Sequence, residues 1–305
     1  MERELISWLR DRLPPHGRLL RGIGDDAAVL DMLGIEQTVL TVDMLMDGVD
    51  FQLAEVDPRR VGRKSLAVNL SDLAAMAAKP LAAVVSLALP RQGGRALAEA
   101  LYEGMLPLAE KYDLAVAGGD TNSWDGPLAI SVTLLGQVVG KALRRDGAAP
   151  GDHILVTGAF GGSILGRHLD FEPRVHEAML LNERFALHAG IDVSDGLSLD
   201  LARLCEESRC GAVVRLASVP VSQDAERLAE KDGRGAMEHA FADGEDFELI
   251  LAVPAQEAER VLEDPLPGLR LTDIGEFVDE RRLWQVDDQG RQQPLPVRGW
   301  EHHFQ

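Results

Sequence analysis

The chain has 305 residues, 31 Lys and Arg against 50 Asp and Glu, and a formal net charge of -19, with 46% hydrophobic residues. That length can bury a sizeable core and predicts two domains. The negative balance argues against nucleic acid or an anionic membrane as the main partner, while leaving room for a phosphorylated small molecule bridged by metal ions.

The first ten residues read as a short amphipathic helix and not as a signal peptide, and no apolar run reaches membrane-spanning length, so a cytoplasmic protein is expected. Arg21-Gly-Ile-Gly-Asp-Asp-Ala-Ala-Val-Leu30 follows, where glycines before two carboxylates predict a tight turn with an approachable backbone. A strand over 38–43 ends on Asp43. Asp57 then Pro58 predict a helix start, with a capping carboxylate and a proline at the first helical position. Leu66, Leu70, Leu73, Ala74 and Ala77 recur at helical spacing, and Pro80 stops the run. The first half of this helix is basic (Arg59, Arg60, Arg63, Lys64) and reads as solvated. The second half reads as interior, yet it carries Asn69, Ser71 and Asp72.

A β-branched run over 82–89, a helix over 95–112 and a short strand over 114–117 come next. That strand leads into an acid-and-glycine turn, Gly118-Gly-Asp-Thr121, before another strand over 128–139. Residues 141–152 read as a basic, turn-rich crossing between domains. In the second half, strands are expected over 153–157, 212–216 and 247–253, and helices over 175–188 and 197–207. The strand over 153–157 runs into the glycine turn 158–163. Cys205 and Cys210 are the only cysteines, five apart, and imply neither a disulfide framework nor a zinc site. Alternating strands and helices in both halves predict an α/β (α+β) fold.

Four acid-and-glycine turns flank apolar strands: Asp25/Asp26, Asp120, Asp192/Asp195 and Glu245/Asp246. Asp43 and Asp72 add two more acids. About one residue in six is acidic, so some pairs arise by chance, and acids in turns commonly bond their own backbone. Taken jointly they fit a magnesium site, since that ion takes oxygen ligands and bridges a few carboxylates to phosphates. Two like charges about 4 Å apart repel by about 4 kcal/mol at an effective dielectric near 20, so clustered aspartates need cations. No P-loop and no protein-kinase signature is present.

Gly22-Ile-Gly-Asp-Asp-Ala-Ala28, Leu66-Ala-Val-Asn-Leu-Ser-Asp-Leu-Ala-Ala-Met76, Gly118-Gly-Asp-Thr121, Asp192-Val-Ser-Asp-Gly-Leu197 and Gly244-Glu-Asp-Phe-Glu-Leu249 together resemble the thiamine-monophosphate kinase family. Its superfamily includes aminoimidazole ribonucleotide synthetase and selenophosphate synthetase. The resemblance spans nearly the whole chain, in order. It implies the two-domain synthetase-kinase architecture. Residues 1–145 would form an N-terminal metal-, ATP-binding and dimerisation domain whose sheet makes the dimer core, and 146–305 a C-terminal α/β domain completing the active site. It also implies γ-phosphoryl transfer from ATP to thiamine monophosphate, giving thiamine diphosphate, with several Mg2+ ions, in a cytoplasmic homodimer. By motif, Asp26, Thr41, Val42, Asp43, Asp72, Asp120, Asp192 and Asp195 would be metal ligands. Gly119, Asp120, Arg145 and Ser194 fall at nucleotide-contacting positions, and Asp50, Glu245 and Trp300 at substrate-contacting ones.

The acceptor phosphate is already anionic at neutral pH, so no side-chain base is expected. Arg145 reads equally as a phosphate-binding fork or a solvated linker arginine beside Arg144, and Trp300 as a stacking surface or an anchor for the C-terminus. Three departures stand out. Val42 interrupts the family's usual Ser-Thr-Asp. Asp50 replaces a usual histidine, which would set a carboxylate near the cationic thiazolium. The turn 160–163 lacks an acid. Two alternatives remain at this level: another ATP-using member of the superfamily, of the aminoimidazole ribonucleotide synthetase kind, or an inactive nucleotide- or cation-binding regulator.

Overall fold

The computed structural model describes residues 2–23 and 27–301. The chain divides into two units, Met1–Leu73 with Ala78–Val139, and Ala74–Ala77 with Gly140–Gln305. Both mix helices with sheets, as the alternating periodicity predicts.

The first unit contains α1 (Glu2–Arg12), β1 (Leu19–Arg21), β2 (Val29–Leu30), β3 (Thr38–Met46), α2 (Pro58–Ala75), β4 (Ala78–Pro90), α3 (Gly94–Lys111), β5 (Ala115–Trp124) and β6 (Ala129–Val138). The predicted cap of α2 is present: the Asp57 carboxylate accepts the backbone N–H of Arg59 at 2.9 Å. β3, β6, β4 and β5 make a four-stranded sheet in that order, with β4 and β5 parallel. Helices α2 and α3 meet backbone to backbone. A side chain at Gly62 would come within 2.0 Å of the Leu101 carbonyl, and one at Gly104 within 1.8 Å of the Arg59 carbonyl. Glycine at both positions lets the helices close.

Several sequence expectations fail in this unit. β3 runs past Asp43 to Met46, and α2 ends at Ala75, leaving Ala77 at a positive φ of 51° and Pro80 inside β4. Lys64 is fully buried and not solvated. It lies three residues after buried Val61, on the core side of α2, and its Nζ donates to the Asp50 carbonyl at 2.9 Å. Gly118-Gly-Asp-Thr121 is not a turn but the middle of β5, held by register with β4. Pairing along a long strand overrides the turn chemistry of glycine and aspartate.

The second unit contains β7 (His153–Thr157), α4 (Arg167–Asp170), α5 (Val175–Arg184), β8 (Ala189–Asp192), α6 (Leu197–Ser208), β9 (Gly211–Arg215), α7 (Gln223–Asp232), α8 (Ala236–Ala242), β10 (Leu249–Val253), α9 (Ala255–Glu263), β11 (Leu271–Val278), β12 (Leu283–Val286) and β13 (Gln292–Pro294). Its seven strands run β13-β12-β9-β11-β7-β10-β8. Ile154, Val156, Ile191, Leu201, Ile250 and Phe277 pack together in the core beneath α6. Burial of such side chains contributes roughly 1.5–3 kcal/mol each and fixes the strand ends from which the loops below project.

Candidate active site

In the first unit, alternation along β3 puts Thr41 and Asp43 on one face and Leu40, Val42 and Met44 on the other, exposed face. Thr41 donates its hydroxyl to Asp72, so α2 lies over the face that carries Thr41 and Asp43. Asn69, one helical turn before Asp72, is fully buried. It donates to the Ser65 carbonyl at 3.1 Å, while its own Oδ1 lacks a hydrogen-bond partner among the described residues. Asp120 is exposed and lies opposite Ser86, whereas Asp43 aligns through Val132 and Val85 with Gly119. β3 and β5 are the outer strands, so three strand spacings, about 14 Å, separate Asp43 from Asp120 within one sheet. A side chain at Gly119 would come within 1.9 Å of the Val85 carbonyl, which leaves only glycine room beside Asp120.

The second unit draws five predicted site residues to one sheet end. β8 finishes on buried Asp192, and 193–196 then runs against 244–248. Phe247 N–H donates to the Val193 carbonyl at 2.8 Å, Val193 N–H to Glu248 at 2.8 Å, and Glu245 N–H to the Ser194 carbonyl at 2.7 Å. Trp300 N–H donates to the Asp195 carbonyl at 2.9 Å, docking the C-terminal segment beside Asp195 while the indole stays 56% exposed. Asp192, Ser194, Asp195, Glu245 and Trp300 are thus held together by main-chain bonds. Glu245 and Phe247 take positive φ of 53° and 51°, an uncommon conformation for residues with side chains.

Charged groups, several of them absent from the sequence reading, hold these loops. Buried Asp200 accepts the N–H groups of Asp195 at 2.9 Å and Gly196 at 3.1 Å, and Arg203 spans Asp195 and Asp200. Burial pushes the Asp200 carboxyl up to about 6 against the opposing pull of those donors. Asp246 accepts the Gly161 N–H at 2.9 Å on both oxygens and pairs with Arg167; burial lifts it to about 7. Glu248 takes the fork of Arg174 at 2.8 Å on each oxygen and the Thr157 hydroxyl at 2.6 Å. His168 faces Glu245 at 3.0 Å. The Gly-Glu-Asp-Phe-Glu spacing hints at Asp246, but nothing in the sequence singles out Asp200, Arg203 or Arg167.

Arg145 and Asp50 also have definite settings. Arg144 pairs with Asp146, whereas exposed Arg145 makes no side-chain ion pair among the described residues; its carbonyl accepts the Ser208 hydroxyl at 2.6 Å. The Asp50 carboxylate accepts the Met46 N–H at 2.7 Å, closing the turn after β3. Asp26 lies outside the described residues. Among the described residues, no three His, Cys, Asp or Glu side chains form a ready-made metal cage. The donors available in each unit are hard oxygens, one or two carboxylates at a time, beside the orphaned Asn69 oxygen. That set fits Mg2+, which is held by one or two carboxylates plus substrate phosphates.

Residues 24–138 match the AIR synthase related protein N-terminal domain, and residues 160–284 the AIR synthase related protein C-terminal domain. The thiamine-monophosphate kinase of Rhodopirellula baltica is 46% identical over 292 residues, covering 93% of this chain and 92% of that protein. The crystal structure of the Stenotrophomonas maltophilia K279a thiamine-monophosphate kinase is 35% identical and covers 95% of both chains with a TM-score of 0.78. AaThiL complexed with AMPPCP and TMP is 27% identical, covering 99% of this chain and 96% of that one, also with a TM-score of 0.78.

Proposed function

The chain belongs to the thiamine-monophosphate kinase family, and from that premise we propose how its residues carry the ATP-dependent phosphorylation of thiamine monophosphate to thiamine diphosphate. One observation carries the proposal. Main-chain bonds between 193–196, 244–248 and Trp300 gather acids, a serine and an aromatic plane at a single sheet end. The nucleophile is a phosphate oxygen that needs no deprotonation at neutral pH. The residues therefore align donor and acceptor and offset negative charge, with no general base among them.

Asp26, Asp43, Asp72, Asp120, Asp192 and Asp195, with Thr41 and the main chain of Val42, would hold Mg2+. The bound ion supplies positive charge over the phosphates. The side chain of Val42 points away from Thr41 and Asp43, so valine in place of a hydroxyl residue removes nothing from their face. Gly119, Asp120, Arg145 and Ser194 serve the nucleotide, and Arg145, exposed beside an arginine already paired, offers a planar fork to a phosphate. Glu245 and Trp300 receive the thiamine moiety. Asp50 adds a negative charge toward the thiazolium while its other role, closing the turn on Met46, keeps it in place.

The exposed apolar face of the first unit's sheet supports a homodimer. Leu40, Val42 and Met44 are 70%, 61% and 63% exposed, and Val84 adds to the same face. Two such sheets meeting through this face would cover it. An ATP-consuming reaction and two cysteines kept as thiols suit a cytoplasmic setting.

The test offers ATP and magnesium with either thiamine or thiamine monophosphate. Thiamine diphosphate forming only from the monophosphate supports the reading, and phosphorylation of thiamine itself contradicts it.

A further inference from the structure

Gly158 just after β7, Arg270 just before β11 and the first turn of α7 line an open cavity of about 490 Å³ in the second unit. Sites for small molecules commonly span about 300–1,000 Å³, so the space exceeds what a single ion fills. Three arginines line it: Arg167, Arg227 and Arg270. Arg270 makes no side-chain hydrogen bond or ion pair among the described residues; its carbonyl accepts the Gly158 N–H at 3.0 Å, which fixes it at the rim. Arg167 pairs with Asp246 through one end, while its Nε–H is buried and has no acceptor among the described residues.

The two acids that line the cavity are already matched. Asp224 pairs with Arg227 at 2.8 Å, and Glu248 is held by the fork of Arg174 and the Thr157 hydroxyl. Ser222 caps α7 by accepting the Ala225 N–H at 2.9 Å. The N–H groups of Gln223 and Asp224 then have no acceptor within the helix, and the helix dipole adds partial positive charge at the same place. An unpaired arginine and a helix start thus border one ligand-sized space.

We propose that this cavity binds the diphosphate group of a small molecule, at a site separate from the reacting centre. β7 and β8 flank β10, so the cavity lies two strand spacings, about 10 Å, from the end of β8 that carries Asp192. Its positive charge comes from the protein, so binding needs no metal. A diphosphate here shares Arg167 with Asp246, and Asp246 follows Glu245 directly, which links occupancy to the loop that receives substrate. Both products of the reaction, ADP and thiamine diphosphate, carry this group. The identity of the natural ligand rests on the function proposed above, whereas binding of the bare diphosphate does not.

The experiment titrates the full chain with inorganic pyrophosphate by calorimetry, in excess chelator, so that metal-dependent binding is silent. One saturable site per chain is expected. Its Kd should rise at least tenfold in Arg270→Gln and in Arg227→Gln, both checked for native circular dichroism, with turnover of thiamine monophosphate unchanged. Should Arg270→Gln not fold, Arg227→Gln decides alone. Displacement of pyrophosphate by metal-free ADP or by thiamine diphosphate names the source. The proposal falls if the wild-type chain shows no saturable binding, or if folded variants bind undiminished. It also falls if Arg145→Gln abolishes binding instead, or if neither diphosphate ester displaces the probe.

Discussion

Thr41 on β3 donates its hydroxyl to the carboxylate of Asp72 on α2, tying together two elements whose motifs lie 31 residues apart. The bond fixes one acid over the strand face that also carries Asp43. Asp72→Asn keeps the size and a hydrogen-bonding oxygen but removes the charge. The account predicts a fall in kcat of roughly 100-fold or more, as for loss of a main electrostatic contributor to a transition state. The melting temperature should stay within a few degrees of wild type. Steady-state kinetics beside differential scanning calorimetry checks both halves of the statement.

Asp200 acts through Asp195, as a positioning residue. Asp200→Ala leaves the N–H groups of Asp195 and Gly196 without their acceptor and Arg203 with one carboxylate where it had two. A buried donor left unsatisfied costs about 1–3 kcal/mol, so urea unfolding should show a loss of that order. The KM for ATP should rise, because the loop bearing Ser194 and Asp195 loses its internal support. Asp200→Asn, which retains one acceptor oxygen, should fall between the two.

Asp246 makes stability depend on pH in a definite direction. Its folded value, lifted to about 7 by burial, exceeds the roughly 3.9 of an unfolded chain. The folded state therefore holds the proton more tightly. The stability this group contributes is full below about pH 4 and is lost as pH rises to about 7. Asp246→Asn cannot titrate, so its melting temperature should gain on wild type steadily from pH 4 to 7 and run parallel above that. Calorimetric melts of both proteins at five pH values read the trend, and a difference that shrinks toward pH 7 reverses the sign and defeats the argument.

Much of this was legible before any coordinates, and the failures have physical causes. The Asp57-Pro58 cap, the spacing of Leu66, Leu70 and Leu73 on α2 and the strand over 153–157 are local signals, and the structure honours them. Lys64 misreads because a run of basic residues suggests water, although its place three residues after Val61 puts it on the core side of the helix. Gly118-Gly-Asp-Thr121 misreads because turn chemistry is local while the pairing that extends β5 beside β4 is not. Asp200 leaves no trace, since it stands four residues into α6 after Gly196, one position beyond the usual capping box. Arg167 and Arg270 meet around one cavity only through the fold.

The open face of the β3 sheet yields a prediction about assembly. A charge at the centre of a covered apolar surface is expensive to bury without a partner. Val42→Asp should therefore shift the protein from dimer to monomer in light scattering at micromolar concentration. Glu110→Lys, exposed on α3 and outside that sheet, should not. A wild-type chain that elutes as a monomer removes the basis for the dimer.

Phosphorus NMR of the full chain with ATP, magnesium and thiamine monophosphate tests the central claim most directly. The account predicts loss of the γ-phosphate resonance of ATP with matching growth of the coupled diphosphate signals of thiamine diphosphate and of ADP, mole for mole, and none of this in Asp72→Asn. Release of free inorganic phosphate with the thiamine monophosphate resonance unchanged, or nucleotide bound with no new signal at all, would contradict it.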